Sequence, residues 1–485
     1  MKGASSGVPL GAARALSVFS ALYRAGPPED FHDRTESDRF APGTKPHLIQ
    51  NARLWTGRKN GTEIFSGDIL IDKGLIKGVG HFGSAKLQKT YGSELVVIDA
   101  WITPGIGASG RNSLKGTIQP WLRSLDAVHT NDASYALSIA GGVTTALILP
   151  GSANAIGGQA FVIKLRRTVE RSSTSMVLEP PYTVNSSFPD LIRPPRWRHM
   201  KHACGETPNT IYAFRDAYNT ASQIKKQQDE YCSKALANEW EGLGEFPDNR
   251  QWEALVDVLR GRVKVEAHSA DIIATLILLK KEVEHAKRQT IQLTITGAAE
   301  AHLLARELGE AGVGVILNPA RSFPYRWEDR RGLPGPPLTA DTPISTFLAH
   351  NVTVGVGVLE NWDARNVRFE IAWASYAAGG NMTQAEVLAL GSTNVAKLLG
   401  AKSAHKFTPD LAATRGGDLL SFNSKVVGVI SAEKGLKTCS VSPPDDLCMK
   451  MRSAKPRQTV CSANGISSSS EASRIVHPRS SWQSR

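Results

Sequence analysis

A chain of 485 residues, 41% hydrophobic and 21% charged, is too long for one small domain and has the make-up of an ordinary globular protein. No apolar run approaches the roughly 20 residues a membrane span needs. The formal charge of +12 is uneven, since residues 433–485 hold nine Lys and Arg against four Asp and Glu. No basic-aromatic platform or reader motif accompanies it, so nucleic acid is not an expected partner and the tail reads as a solvated charged segment. The five cysteines, Cys204, Cys232, Cys439, Cys448 and Cys461, are odd in number and include no C-x-x-C. That pattern supports neither a disulfide framework nor a zinc knuckle.

In chain order, residues 1–46 are polar, with Pro and Asp, and read as disordered. Their first part carries Lys2, Arg14 and Arg24 and no acid, with "AARALSVFSALYRAG" at rough helical spacing. It is similar to a mitochondrial presequence or the remnant of a membrane anchor, and is a poor secretory signal. Four N-x-[ST] sequons, at Asn60, Asn185, Asn351 and Asn381, permit a secretory history. The compartment stays open.

From His47 the texture changes. "PHLIQNARLWTG", "SGDILIDKGLIKGVG" and "ELVVIDAWITPG" are short apolar runs between Gly and Asp-Lys-Gly turns, which predicts a small antiparallel sheet over 47–103. Over 104–404 the rhythm is strand, loop, helix. "GGVTTALILPGS", "RVKVEAH", "TIQLTIT", "VGVILNP" and "VTVGVGVLE" read as strands, and "SADIIATLILLKKEVEHA", "AEAHLLARELGEAG" and "MTQAEVLALGSTNVAKLLG" as helices. Repeated βα units predict a parallel sheet closed into a (β/α)8 barrel. "GGDLLSFNSKVVGVI" returns to strand texture, so 405–431 completes the first sheet, and 432–485 is a basic, Ser-rich tail without structure.

Catalytic groups of a parallel barrel sit where its strands end. His268 closes the strand "VKVEAH" directly before a helix, so its imidazole suits a metal ligand or a base. Glu266, two residues earlier, shares its strand face and needs a cationic partner, a metal or a Lys/Arg. His302 follows the next strand with Glu300 beside it, and reads equally as a site group or a capped surface histidine. After "VGVGVLENWDARN" the carboxylates Glu360 and Asp363 are the choices for a base, unless Asp363 pairs with Arg365. "GSANAIGGQAFVIKL", residues 151–165, lacks the features of a phosphate loop, and its glycines allow tight turning beside a site. Lys164, near the end of that stretch, is a metal-bridging or substrate-binding candidate. In "RWRHMKHACGE" a cluster of Arg, His, Lys and carboxylate reads either as an anion contact through Arg196 or Arg198 or as an exposed basic loop. No G-x-S-x-G elbow is present.

"GDILIDKGLIKGVG", "VVIDAWITPGI", "GGVTTALILPGSANAIGGQAFVIKL", "EVLALGSTNVAKLLG" and "GGDLL" together resemble the amidohydrolase superfamily. The likeness is to fungal amidohydrolase-related proteins, near the imidazolonepropionase-like and carbohydrate-esterase-family-nine groups. The resemblance implies an α/β fold, a distorted (β/α)8 TIM-like barrel with a β-sandwich from both chain ends. It also implies hydrolysis of non-peptide C–N bonds in a small-molecule substrate, with one or two divalent metals, zinc foremost, activating water. By position His268 matches the fifth-strand ligand, His302 the sixth and Glu360 the eighth-strand acid, with Lys164 and Glu206 as weaker candidates. One departure stands out. Where the family continues from Pro-Gly-Ile to a His-x-His pair, this chain has "GASGRNSLKG", as if a segment were missing. Three readings follow: a hydrolase with an altered site, a non-catalytic binding protein, or a truncated gene product, to which the unusual tail also points.

Overall fold

The computed structural model describes residues 35–36, 43–55, 63–73, 75–83, 87, 90–91, 96–99, 101–104, 116–168, 170–178, 198–204, 210–259, 264–267, 270–287, 290–321, 330–358, 361–377, 382–400 and 410–430. The segments expected to be disordered, 1–46 and 432–485, lie outside these residues apart from 35–36 and 43–46.

The chain begins its first sheet with β1 (His47–Trp55), β2 (Ile64–Asp72) and β3 (Leu75–Gly80), a meander whose second turn places Lys73 at φ 45. Then β4 (Val96–Asp99) and β5 (Trp101–Pro104) return alongside β1 and run parallel to it. The sheet is therefore mixed, not antiparallel as the turn signals predicted. A hairpin turn sets antiparallel neighbours, whereas the longer excursion after β3 lets the chain re-enter in the same direction. From the far end of the sequence, β13 (Leu411–Arg415) pairs antiparallel with β5, and β14 (Lys425–Ile430) with β13. Alternation along the strands buries Ile49, Leu54, Ile69, Ile71, Leu411 and Ala413 on one face, and Trp55 and Ala412 on the other.

The second sheet has the order β12-β11-β10-β9-β8-β7-β6. Its strands are β6 (Thr145–Ile148), β7 (Ile156–Lys164), β8 (Arg198–Ala203), β9 (Lys264–Ala267), β10 (Thr294–Gly297), β11 (Gly314–Leu317) and β12 (Val354–Val356). Strands β8 to β12 are parallel, and β7 runs antiparallel to both neighbours. The predicted all-parallel barrel needs correcting here. Residues 149–155 are too few for the helical crossover a parallel return requires, so β6 and β7 form a hairpin. Among the described residues the sheet is also open, not closed by an eighth strand. Residues 105–115, which contain the departure from the family pattern, lie outside the described residues.

Helices α1 (Ala133–Ala140), α2 (Thr210–Leu236), α3 (Glu253–Leu259), α4 (Ala270–Lys287), α5 (Ala305–Glu310), α6 (Pro343–Ala349) and α7 (Val367–Ala377) occur along the second-sheet region. Most of them share one large apolar core with the outward side chains of its strands, such as Phe161, Ile295 and Val315. Side-chain caps mark several starts: Asp132 accepts from Ser134 N–H at 2.8 Å, and Thr342 forms a capping box with Ser345 ahead of Pro343. No described helix is long and apolar enough to cross a membrane.

The inward face is filled differently. Ile316 of β11 clusters with Leu147 of β6 and Ala160 and Val162 of β7, so the sheet curls until its ends approach each other. The stopper is the helix pair α8 (Gln384–Gly391) and α9 (Thr393–Leu398), whose Val395, Leu398 and Leu399 pack against that cluster. Asn394 Nδ2 donates to the Val354 carbonyl at 2.8 Å, and Thr294 Oγ1 donates to the Leu398 carbonyl at 3.1 Å. Gly314 and Gly355 make this approach feasible. A Cβ on Gly355 would stand 2.9 Å from Val395 Cγ2, and one on Gly314 would overlap Leu398 Cδ2.

Candidate functional site

The parallel strands end at Ala203, Ala267, Gly297, Leu317 and Val356, and β6 ends in the same direction at Ile148. In α/β folds with parallel strands, this rim of the sheet is where chemistry is usually carried. Strand register puts Ala203, Glu266 and Thr296 side by side across β8, β9 and β10. Lys201 and Lys264 stand in register just below them.

Lys201 is the side chain that sequence reading passed over. It is 3% exposed, and its Nζ donates to Ser152 Oγ at 3.1 Å. Ser152 belongs to the Gly-rich connection after β6, which folds over the lysine. A Cβ on Gly157 would stand 3.1 Å from the Gly151 carbonyl and 3.2 Å from Pro150 Cβ, so glycine there lets the connection fold back closely on the start of β7. Asn154, also buried, donates through Nδ2 to the Gly116 carbonyl at 2.6 Å and pins the loop. The signal was in the sequence, as a lysine inside a strand facing a Gly-rich loop. Only the register shows that the two meet.

Around β10 the strand itself ends in Gly297, and His302 lies five residues further on, in a short 3-10 turn over Ala301–Leu304. Burial first, and then the Arg331 charge, push the His302 pKa down, partly offset by a hydrogen bond with the Ala299 backbone and by the Glu300 charge. Its Nδ1 is buried and makes no well-formed hydrogen bond. Next to it Glu300 is fully buried. Arg331 donates to its two oxygens at 3.1 and 2.6 Å, and the Ala270 N–H, in the first turn of α4, at 3.2 Å. Burial alone would raise the Glu300 pKa, but these donors together hold it below the usual carboxylate value.

Past β12, Asp363 sits in a 3-10 turn over Asn361–Asn366. Burial first, then the neighbouring Glu370 charge, raise its pKa, while Arg321 and Arg365 act in the other direction. Arg365 makes no ion pair with it among the described residues. Arg321 instead grips Glu370 with two donors and stacks over Trp373, its guanidinium carbon 5.4 Å from the ring centroid.

Two expected substrate contacts stand at the other end of the sheet. Because β7 is reversed, Lys164 falls opposite Thr145, at the start of β6. There its Nζ donates to Asp410 Oδ1 at 2.8 Å, with the two side chains 1% and 2% exposed. Arg198 opens β8 in register with Phe161, likewise away from the rim. His268, Glu360, Arg196 and Glu206 lie outside the described residues. Among the described residues no three His, Cys, Asp or Glu side chains gather as a metal site.

An open-edged α/β sheet flanked by helices, with its polar rim at the strand ends, defines the class; comparison with known proteins sharpens it. No protein-family model matches the chain. The chain is similar to amidohydrolase tasK of Hapsidospora irregularis, 31% identical over 332 residues that cover 58% of this chain and 32% of that protein. It thus spans about a third of the length of the curated relative it matches. Its fold is similar to that of an amidohydrolase from Thermotoga maritima, with a TM-score of 0.60 and 22% identity over 81% of this chain and 99% of the other. A zinc-bound adenosine deaminase from Xanthomonas campestris matches at a TM-score of only 0.40 and 12% identity, too loosely to carry an argument. The amidohydrolase likeness of the motifs thus recurs in the first of these proteins over 332 residues, and the second is similar in fold.

Proposed function

We propose that the protein is a metal-dependent hydrolase of carbon–nitrogen bonds other than peptide bonds, acting on a small molecule at the rim of β8 to β12. The observation that supports it is the joint likeness just described: sequence kinship with one amidohydrolase and the fold of another. On this reading the curled second sheet is the wall of a (β/α)8-type barrel, and the first sheet is part of a composite β-sandwich.

A divalent cation, zinc foremost, would be held by His268, His302 and Glu360, and would supply Lewis-acid activation of water. His302 is the one of the three that is described, and burial disfavours the charged form of its imidazole, so the donor chemistry suits a cation at that position. The chain's own residues divide the remaining work. Asp363, or Glu360 where it is not a ligand, takes the proton from the attacking water and returns it to the leaving nitrogen. Lys201, with Ser152 fixed beside it, presents a buried cationic donor to the polar end of the substrate. Arg196 and Glu206 are the further substrate contacts on the segment around β8.

The test is amine release by the purified full chain, dialysed and then supplied with zinc, from N-acetylated amino sugars, cyclic amides and dipeptides. Turnover of an N-acyl or cyclic amide, abolished by His268→Ala, is the expected result. Folded, zinc-loaded protein that cleaves none of the panel, or only the dipeptides, would overturn it.

A further inference from the structure

Of the four sequons, Asn351-Val352-Thr353 is the one whose asparagine is described. Asn351 follows α6 in the left-handed region, with φ 58. The Val352 N–H reaches back to the Phe347 carbonyl at 3.0 Å and the Asn351 N–H to the Leu348 carbonyl at 3.1 Å, which closes the helix end. Asparagine tolerates this conformation, and that alone would account for its presence. The surroundings say more. Leu348, Ala349, His350 and Asn351 form a run of four exposed residues, with Leu348 43% exposed. Among the described residues the Asn351 carboxamide makes no hydrogen bond, so its nitrogen is uncommitted. Val352 is 3% exposed and anchors the turn, and Thr353 Oγ1 accepts from Lys397 Nζ at 3.1 Å. The knob lies just before Val354, where β12 starts, at the opposite end of the sheet from the rim.

We propose that Asn351 is an N-glycosylation site. The co-reactant is a lipid-diphosphate-linked oligosaccharide. Asn351 Nδ2 displaces the diphosphate from the anomeric carbon, so an N–C bond forms as the C–O bond to diphosphate breaks. The lipid diphosphate leaves with that electron pair, and one amide proton passes to a base. A glycan here would cover Leu348 and leave the rim clear. The proposal is independent of the hydrolase reading.

The experiment expresses the full chain in a eukaryotic host that glycosylates secretory proteins. The product is released from glycan by peptide-N-glycosidase in heavy-oxygen water, and position 351 is read by peptide mass spectrometry. Conversion of Asn351 to heavy-labelled Asp is expected, with a slower gel band that collapses on enzyme treatment. Thr353→Ser should keep the modification and Thr353→Ala should abolish it, both without touching the asparagine that closes the helix. Two results overturn the proposal: unmodified Asn351 in chains glycosylated at another sequon, and chains without glycan at any sequon.

Discussion

Replacing Lys164 by Met removes the cationic half of an ion pair that is almost wholly withdrawn from water. The Lys164 and Asp410 side chains are 1% and 2% exposed, with Nζ 2.8 Å from Oδ1. Breaking a buried pair from one side leaves a bare charge in a low-dielectric setting and costs about 3–5 kcal/mol. With an unfolding entropy of about 2 cal/mol/K per residue, a chain of 485 residues shifts by about 1 °C per kcal/mol, so the melting midpoint should fall by roughly 3–5 °C. Asp410→Leu alone should cost a similar amount. Removing both charges, in Lys164→Met/Asp410→Leu, should recover most of the loss, because two apolar side chains of similar volume replace a pair whose desolvation nearly cancels its attraction. Urea denaturation of the four proteins closes the cycle, and an interaction energy of a few kcal/mol is expected. If Lys164→Met melts with the parent, and its KM for a hydrolysed substrate rises, the residue serves a substrate and the buried-pair argument fails.

Gly355→Ala places a methyl 2.9 Å from Val395 Cγ2 and should destabilise by about 1–3 kcal/mol, with relief when Val395→Ala is added; thermal melts of the single and double variants decide this. Glu300 has a folded-state pKa below its unfolded value, so its contribution is present above the unfolded pKa and fades as pH falls through the folded one. Glu300→Gln should therefore lose stability at neutral pH and flatten the acid side of the stability curve, measured by urea midpoints from pH 7 downward. The Glu370 charge raises the Asp363 pKa, so Glu370→Gln should move the acid limb of kcat/KM to lower pH if Asp363 is the base; an unmoved limb would assign the proton transfer to another group. Lys201→Met should raise KM more than it lowers kcat if the lysine orients substrate, and steady-state kinetics separate the two effects.

Much of the fold was legible because local patterns carry it. The apolar runs at His47–Trp55, Thr145–Ile148, Thr294–Gly297 and Gly314–Leu317 are strands as read, and "MTQAEVLALGSTNVAKLLG" contains two helices. Helix α2, 27 residues of mixed polarity, went unread because only a narrow stripe of it is apolar, as at Phe214, Ala217 and Ala221. Whether a predicted strand runs with or against its neighbours is not a local property. β7 reads like any buried strand, and its reversal follows from a connection too short to cross over. That reversal carries Lys164 to the far end of the sheet and onto Asp410, 246 positions away in the chain.

The candidate site divides along the same line. Residue type and strand-end position made His302 and Asp363 candidates from the sequence alone, with Glu300 beside the histidine, and left a capped surface histidine and an ion pair with Arg365 as the alternatives. Their partners came only from the folded chain. Arg331 on Glu300, Glu370 beside Asp363 and Ser152 over Lys201 all join segments between 7 and 49 residues apart. Periodicity decides which face of an element is buried, since it reports the element's own geometry. Which charged group meets which depends on register, strand direction and loop length together, and only the tertiary structure sums those.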